Sequence, residues 1–178
     1  MADLQFKAEN LTLGFSHSVR DLPFKSSFSN KMNVVTKCLN NFLTRAEPSG
    51  LGLKKKGAKH FSLHVSLCGN TQIRKLNRDY RGKDKVTDVL SFPMNDNLRE
   101  QSEQLFEHCE IGDIIICSPV MQKQAVEFSL TNEEEFFHLI VHGFLHLCGY
   151  DHEVSEEEER IMEELEKKII RNISKGLK

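Results

Sequence analysis

The chain has few of the features that mark secreted, disulfide-linked or membrane proteins. Its five cysteines are odd in number and scattered, and no two of them form a CxxC pair. This pattern argues against a disulfide framework and against a zinc site built from cysteine. No apolar run approaches the length of a membrane span, and the first ten residues are too polar for a secretion signal. We therefore expect a cytoplasmic protein with reduced thiols and no contact with a membrane.

Composition and charge are those of an ordinary globular protein. The chain has 178 residues, of which 39% are hydrophobic and 28% charged, and these values predict a single domain over residues 1–178. The net charge of −2 gives no general indication of nucleic-acid binding.

The charge is nevertheless unevenly distributed along the chain. Residues 74–85 contain six basic side chains against two aspartates, and residues 54–59 contain four lysines. Acidic side chains concentrate in residues 153–166, so we expect a basic side and an acidic side of the molecule. For either basic cluster alone a solvated loop is the simpler interpretation, whereas beside a metal site the two clusters favour a ligand that contains phosphate.

Alternating and helical spacings of apolar residues predict a mixture of strands and helices. Strands are predicted at residues 60–68, 89–92 and 111–117, and residues 4–15 contribute one edge strand. Helices are predicted at residues 33–43, 70–80 and 118–128, followed by two helices that open with capping boxes at Thr131 and Ser155. Residues 95–110 form a polar excursion without a clear pattern. The expected fold is α+β, a small mixed β-sheet packed by helices, with residues 1–31 as an N-terminal extension or edge strand.

Residues 142–152 read His-Gly-Phe-Leu-His-Leu-Cys-Gly-Tyr-Asp-His and predict a metal site. His142 and His146 are four residues apart, so a helix over residues 136–147 presents both imidazoles on one face. Gly149 allows a left-handed residue that ends the helix and turns the chain back, which brings His152 up as a third ligand. Three imidazoles with an open fourth position are the arrangement of catalytic zinc.

The same spacing occurs in the zinc-protease motif H-E-x-x-H-x-x-G-x-x-H, but one residue differs. In those enzymes the residue after the first histidine is the glutamate that acts as general base, and here it is Gly143, which cannot move a proton. His138 lies one turn before His142 on the same face. Two interpretations of His138 stay open, a partner of the metal ligands or substrate, and an ordinary buried histidine.

Three stretches of the chain resemble one family. Residues 76–93 read Leu-Asn-Arg-Asp-Tyr-Arg-Gly-Lys-Asp-Lys-Val-Thr-Asp-Val-Leu-Ser-Phe-Pro and residues 111–117 read Ile-Gly-Asp-Ile-Ile-Ile-Cys. With the histidine segment, they are similar to the corresponding segments of the YbeY proteins, which are single-strand-specific endoribonucleases of rRNA maturation, including the 16S 3′ end, and of ribosome quality control. The resemblance covers roughly residues 60–170 and does not extend to the first 31.

The resemblance implies roles for particular residues. His142, His146 and His152 would be the ligands of one Zn²⁺ per chain, and Arg81 the functional arginine that faces the metal. A guanidinium suits this role because it can bind two oxygens of a phosphate whose negative charge grows during cleavage. An ordinary arginine at the end of a helix is the alternative interpretation of Arg81.

The loop after Arg81 supplies further candidates for substrate binding. Lys83 and Lys85 could follow an RNA backbone without regard to its sequence. Thr87 and Asp88 could shape the pocket, although a turn or capping role explains Asp88 equally well.

The leading hypothesis is therefore a zinc-dependent endoribonuclease. Its expected partners are single-stranded rRNA or its precursors and ribosomal particles, with neither DNA nor membranes among them. Two alternatives stay open: an RNA- or ribosome-binding assembly factor whose zinc is structural, and a three-histidine metalloprotease. Gly143 and the basic loop argue against the protease.

Overall fold

Five strands and five helices make up the fold in the computed structural model, which describes residues 4–24, 27–45, 50–95, 97–100 and 105–178. The strands are β1 (Leu4–Lys7), β2 (Leu11–His17), β3 (His60–Cys68), β4 (Val89–Pro93) and β5 (His108–Cys117). The helices are α1 (Phe28–Thr44), α2 (Asn70–Arg81), α3 (Ser118–Glu127), α4 (Asn132–Leu147) and α5 (Glu156–Gly176), with a 3₁₀ turn at Leu53–Lys56. The predicted α+β fold is confirmed.

The strands form one mixed sheet in the order β1-β2-β3-β5-β4. β2, β3 and β5 run parallel at its centre, while β1 and β4 are antiparallel edges. β3 has the predicted bounds because its alternating side chains, such as Leu63 and Val65, are buried on one face. In the described residues no helix is both long and apolar enough to cross a membrane.

The prediction of one edge strand near the N-terminus was wrong, since the segment forms two strands. β1 is the edge, and β2 lies inside the sheet with Leu13 paired in register with Leu63 of β3. Leu13 and Phe15 have no exposed surface. The strand that pairs with β2 lies about fifty residues further along the chain. The local spacing of apolar residues does not reveal such a distant partner.

Two predicted elements begin earlier than expected. α1 starts at Phe28, whose ring packs between Phe24 and Phe136. β5 starts at His108 and continues through a bulge at Gly112, whose φ of 141° suits a residue without a Cβ. In both cases distant packing partners extend the element beyond its local pattern.

The two faces of β4 carry different helices. A Cβ at Gly143 of α4 would touch Ser91 of β4 and Ile114 of β5, which places α4 on that face. On the other face Ile73 of α2 packs in a small cluster with Leu90. Because β4 is the edge of the sheet, residues at the ends of α2 and α4 can meet around it.

Candidate metal centre and active-site cleft

The three predicted ligands lie together at the end of α4. One ligand atom from each of His142, His146 and His152 lies within 4.8 Å of the other two. Gly149 has a φ of 97°, as the predicted left-handed turn requires, and its N–H donates to the carbonyl of His146 at 3.0 Å. This turn returns His152 to the helix that carries the other two histidines.

Part of the polar segment that had no clear sequence pattern supports this turn from outside. The N–H of Arg99 donates to the carbonyl of Cys148 at 2.9 Å, and the Arg99 guanidinium lies 4.6 Å from the centre of the Tyr150 ring. Leu98 is fully buried, and Asn97 occupies the space that a Cβ at Gly149 would need. Residues 97–100 therefore hold the turn of the histidine segment, a role that their polar sequence did not indicate.

The donor set suits a metal cation. Burial, together with the nearby rings of His142 and His152, lowers the pKa of His146 to about 4, so this imidazole is neutral at pH 7 and can donate a lone pair. Among the described residues, the buried Nδ1 of His152 has no hydrogen-bond partner. A buried polar atom without a partner is costly, and a bound cation or an ordered water would satisfy it.

Glu166 of α5 orients one of these ligands and was missed by sequence reasoning. Its Oε1 lies 2.7 Å from Nδ1 of His142. Burial alone would raise the pKa of Glu166, but the neighbouring imidazoles of His138 and His142 outweigh it and hold the pKa at about 2. An ionised carboxylate only accepts, so Nδ1 carries the proton and Nε2 is left free to bind a metal. Because α5 contains many glutamates, nothing in the sequence distinguishes Glu166 from the others.

His138 belongs to the same polar group but does not line the cleft between α2 and α4. Its Nε2 lies 3.9 Å from Glu166, and its Nδ1 lies 3.6 Å from the buried Glu135. The nearby Glu166 carboxylate raises the pKa of His138. The structure thus places His138 beside the carboxylate that holds His142, on the side away from the cleft.

Gly143 is explained by packing. A Cβ at this position would lie 2.9 Å from Oγ of Ser91 and 3.0 Å from Cγ2 of Ile114. Glycine therefore lets α4 approach the sheet closely, and a glutamate in this place would point into β4.

Arg81 reaches the histidines from the other face of the sheet. It ends α2, and Gly82 follows in the left-handed region with a φ of 67°. Nη2 of Arg81 donates to the carbonyl of Ser91 at 3.3 Å, which draws the guanidinium around the edge strand. One carbonyl leaves most of the five guanidinium N–H groups available to a ligand.

The loop after Arg81 is held in place by its own side chains. Nδ2 of the buried Asn77 donates to the carbonyl of Lys85 at 2.9 Å. Asp88 accepts from the N–H of Val89 at 2.8 Å and from Nε2 of Gln124 at 2.9 Å. Burial would raise the pKa of Asp88, but these hydrogen bonds lower it overall. Asp88 is thus engaged as an anchor of the loop, while the side chains of Lys83 and Lys85 are exposed.

One cleft of about 580 Å³ lies between the end of α4, the loop after Arg81 and β4. Every predicted site residue except His138 lines it: Arg81, Lys83, Lys85, Thr87, Asp88, His142, His146 and His152. Asn77, Ser91, Asn97 and Tyr150 also line it and were not predicted. The described lysines of the second basic cluster do not line the cleft. Lys59 pairs with Glu107 at 3.3 Å, and Lys56 contacts the carbonyl of Arg99. The Lys54 side chain lies outside the described part of the chain.

Comparison with known proteins agrees with this arrangement. The family model described as Endoribonuclease YbeY matches residues 27–174. A Sulfurihydrogenibium protein named Endoribonuclease YbeY is 42% identical over 117 residues, which are 66% of this chain and 73% of that protein. The Aquifex aeolicus protein of the same name is 42% identical over 127 residues, which are 71% and 80% of the two chains.

A solved structure shares the fold. The solution structure of a Thermotoga maritima protein aligns with a TM-score of 0.54 and 26% identity, covering 90% of this chain and 88% of that one. Since the family model spans most of the chain, including the cleft and the three histidines, the chain belongs to the YbeY family.

Proposed function

We propose that this protein is a zinc-dependent endoribonuclease that cuts single-stranded rRNA precursors. His142, His146 and His152 hold one Zn²⁺, and Arg81 binds the phosphate at the cut. The endoribonuclease activity named for its relatives supports the reaction class. The observation that carries the proposal is the placement of Arg81 and the three histidines in one cleft.

The side chains have distinct tasks in this chemistry. Cleavage of a phosphodiester increases negative charge on the non-bridging oxygens, and the Arg81 guanidinium can donate two N–H groups to them. A zinc ion supplies Lewis acidity at this point. Gly143 provides no general base, so α4 contributes ligands and shape to the reaction but no proton transfer at that position.

Zinc is proposed because of the donor set. Three imidazoles with a carboxylate behind one of them are typical of catalytic zinc. Such a set also binds nickel and copper, so the metal has to be identified in protein purified from its own cell type.

Substrate choice follows from the loop between Arg81 and Asp88. Lys83 and Lys85 are exposed beside the cleft, where they can neutralise RNA phosphates. Such contacts are independent of base sequence and weaken with added salt. We propose rRNA precursors and ribosomal particles as the partners and the cytoplasm as the location.

The test compares four proteins: wild type, His146→Ala, Arg81→Ala and the control Arg78→Ala, whose guanidinium pairs with Asp79 at 3.0 Å. Bound metal, affinity for single-stranded RNA and cleavage of single-stranded RNA, duplex RNA and single-stranded DNA are measured for each. We expect wild type and Arg78→Ala to carry one zinc and to cut single-stranded RNA only. His146→Ala should lose metal and cleavage, and Arg81→Ala should keep metal and RNA binding but lose about 10²–10³ in rate.

Two results would contradict the proposal. If all four proteins cut alike, the nuclease is a contaminant, and a zinc-containing assembly factor describes the chain better. If wild type digests casein and leaves RNA intact, the protease alternative is correct.

A further inference from the structure

Two aromatic residues are next in the chain to residues that line the cleft. Tyr80, in the last turn of α2, packs edge-on against Phe92 of β4, with ring centroids 5.2 Å apart and ring planes at 75°. Arg81 follows Tyr80, and Ser91 and Pro93 flank Phe92. The pair is thus attached to the two elements that carry the phosphate-binding side of the cleft.

Phe92 is packed against the protein, whereas the Tyr80 ring is exposed to solvent. Phe92 packs against the small cluster that contains Ile73 and Leu90, which fixes its position. Tyr80 is 68% exposed, although its ring is large and mostly apolar. Leaving such a ring in water forgoes the free energy of burying it, so the chain keeps an apolar surface where packing does not require one.

Cationic groups stand next to this ring. Arg81 follows Tyr80 at the end of α2, and Lys83 follows in the loop. Positive side chains that follow a phosphate backbone, interleaved with an aromatic ring that receives a base, are how proteins bind single-stranded nucleic acid. In a duplex both faces of a base are covered by its neighbours, so an exposed ring can stack only on a base that has left the stack.

We propose that Tyr80, positioned by Phe92, stacks on one unpaired base adjacent to the phosphate bound by Arg81. The inference rests on the proposed function, because it names a contact for the substrate of that reaction. It makes Tyr80 a determinant of specificity: the nucleotide beside the cut has to be unpaired, whatever its base.

The experiment removes the ring and the base separately. Values of kcat/KM are measured on single-stranded RNAs that carry one abasic nucleotide at successive positions from the cut. The enzymes are wild type, Tyr80→Ala, Tyr80→Phe and a control, Phe128→Ala, whose ring is 57% exposed before α4 and does not line the cleft. Bound metal is quantified for each protein.

A stack between one ring and one base gives a specific pattern. Wild type should lose about tenfold at one abasic position. Tyr80→Ala should lose about tenfold on intact RNA and nothing further at that position, because its partner is already gone. Tyr80→Phe and Phe128→Ala should behave as wild type, and all four should hold the same amount of metal.

Tyrosine fluorescence gives an independent readout. The chain contains two tyrosines and no tryptophan, and Tyr150 is only 6% exposed. Binding of single-stranded RNA should quench emission more strongly in wild type than in Tyr80→Phe, in which only Tyr150 of the cleft lining remains to respond.

Other results would overturn the inference. Cleavage by Tyr80→Ala at the wild-type rate shows that no stack forms. Slower cleavage with unchanged sensitivity to the abasic position shows that the ring acts only on the structure. If wild type cuts no RNA, the proposed function fails and this inference fails with it.

Discussion

Nδ1 of His142 donates a hydrogen bond to Glu166 at 2.7 Å, across 24 residues of chain. The bond joins α4, which carries two of the proposed metal ligands, to α5, which carries none. A carboxylate in this position fixes the tautomer and the orientation of the imidazole before a metal binds.

Removal of this carboxylate should weaken metal binding. Glu166→Ala is expected to lower zinc affinity by about 10- to 100-fold, and Glu166→Gln by less, because its amide oxygen can still accept the hydrogen bond from Nδ1 of His142. Competition with a chromogenic chelator measures the affinity. Glu164→Ala is the control, since Glu164 lies on the same helix and pairs with the exposed Arg160. Equal affinities for the Glu166 and Glu164 variants would contradict the role.

The lowered pKa of His146 gives the metal-free protein a defined response to pH. The usual pKa of 6.5 falls to about 4 in the folded state. Between pH 6.5 and pH 4, His146 is therefore protonated in the unfolded chain and neutral in the folded chain. The contribution of His146 to the free energy of unfolding therefore decreases as pH falls from 6.5 to 4.

Urea unfolding with a chelator present, at pH 7 and at pH 5, measures this response. His146→Ala should lose less stability than wild type on acidification. A His146→Ala protein with the wild-type dependence would show that another group is responsible.

Replacing Arg81 by lysine separates charge from geometry. Lysine keeps the positive charge but presents one ammonium in place of the planar fork, so two phosphate oxygens cannot be bound side by side. Arg81→Lys should keep most of the affinity for RNA and its salt dependence while kcat falls well below wild type. A twofold change in kcat corresponds to about 0.4 kcal/mol in the activation free energy. If kcat of Arg81→Lys stays within this range of wild type, Arg81 acts only through its charge.

Gly143→Ala tests the close approach of α4 to the sheet. Alanine favours the helix by about 1 kcal/mol, but the new Cβ meets Ser91 and Ile114, and overpacking of this kind costs about 1–3 kcal/mol. We expect a net loss of about 1 kcal/mol in the free energy of unfolding, measured by urea denaturation. Ser91→Ala removes the nearest atom, so the double variant should lose less than the sum of the two single changes. If Gly143→Ala has a higher free energy of unfolding than wild type, Ser91 and Ile114 can move away from the new Cβ at little cost.

The parts of the molecule that sequence could predict are those set by near neighbours. The capping box of Thr131 and Glu134 marks the start of α4, and the spacing of His142, His146 and His152 is sufficient by itself to indicate the three proposed metal ligands. Gly149 adopts its left-handed conformation because the turn requires it. All of these depend on contacts within about ten residues.

What could not be predicted depends on long-range packing. β2 pairs with a strand about fifty residues away, and β5 starts early because His108 pairs with His60. Glu166 is one of many glutamates on α5 and becomes distinctive only when α5 packs beside His142. The support that Asn97 gives to Gly149 was likewise invisible in a polar segment.

The three proposed histidine ligands come from one continuous segment of eleven residues, whereas Arg81 comes from the opposite face of the edge strand. Metal content therefore reports on the state of that short segment alone. Under the proposed function, a preparation can carry a full complement of metal while a small displacement of α2 has moved the guanidinium away from the substrate phosphate. For this protein the specific activity per bound metal is the quantity that reveals whether the sheet and both helices are correctly assembled.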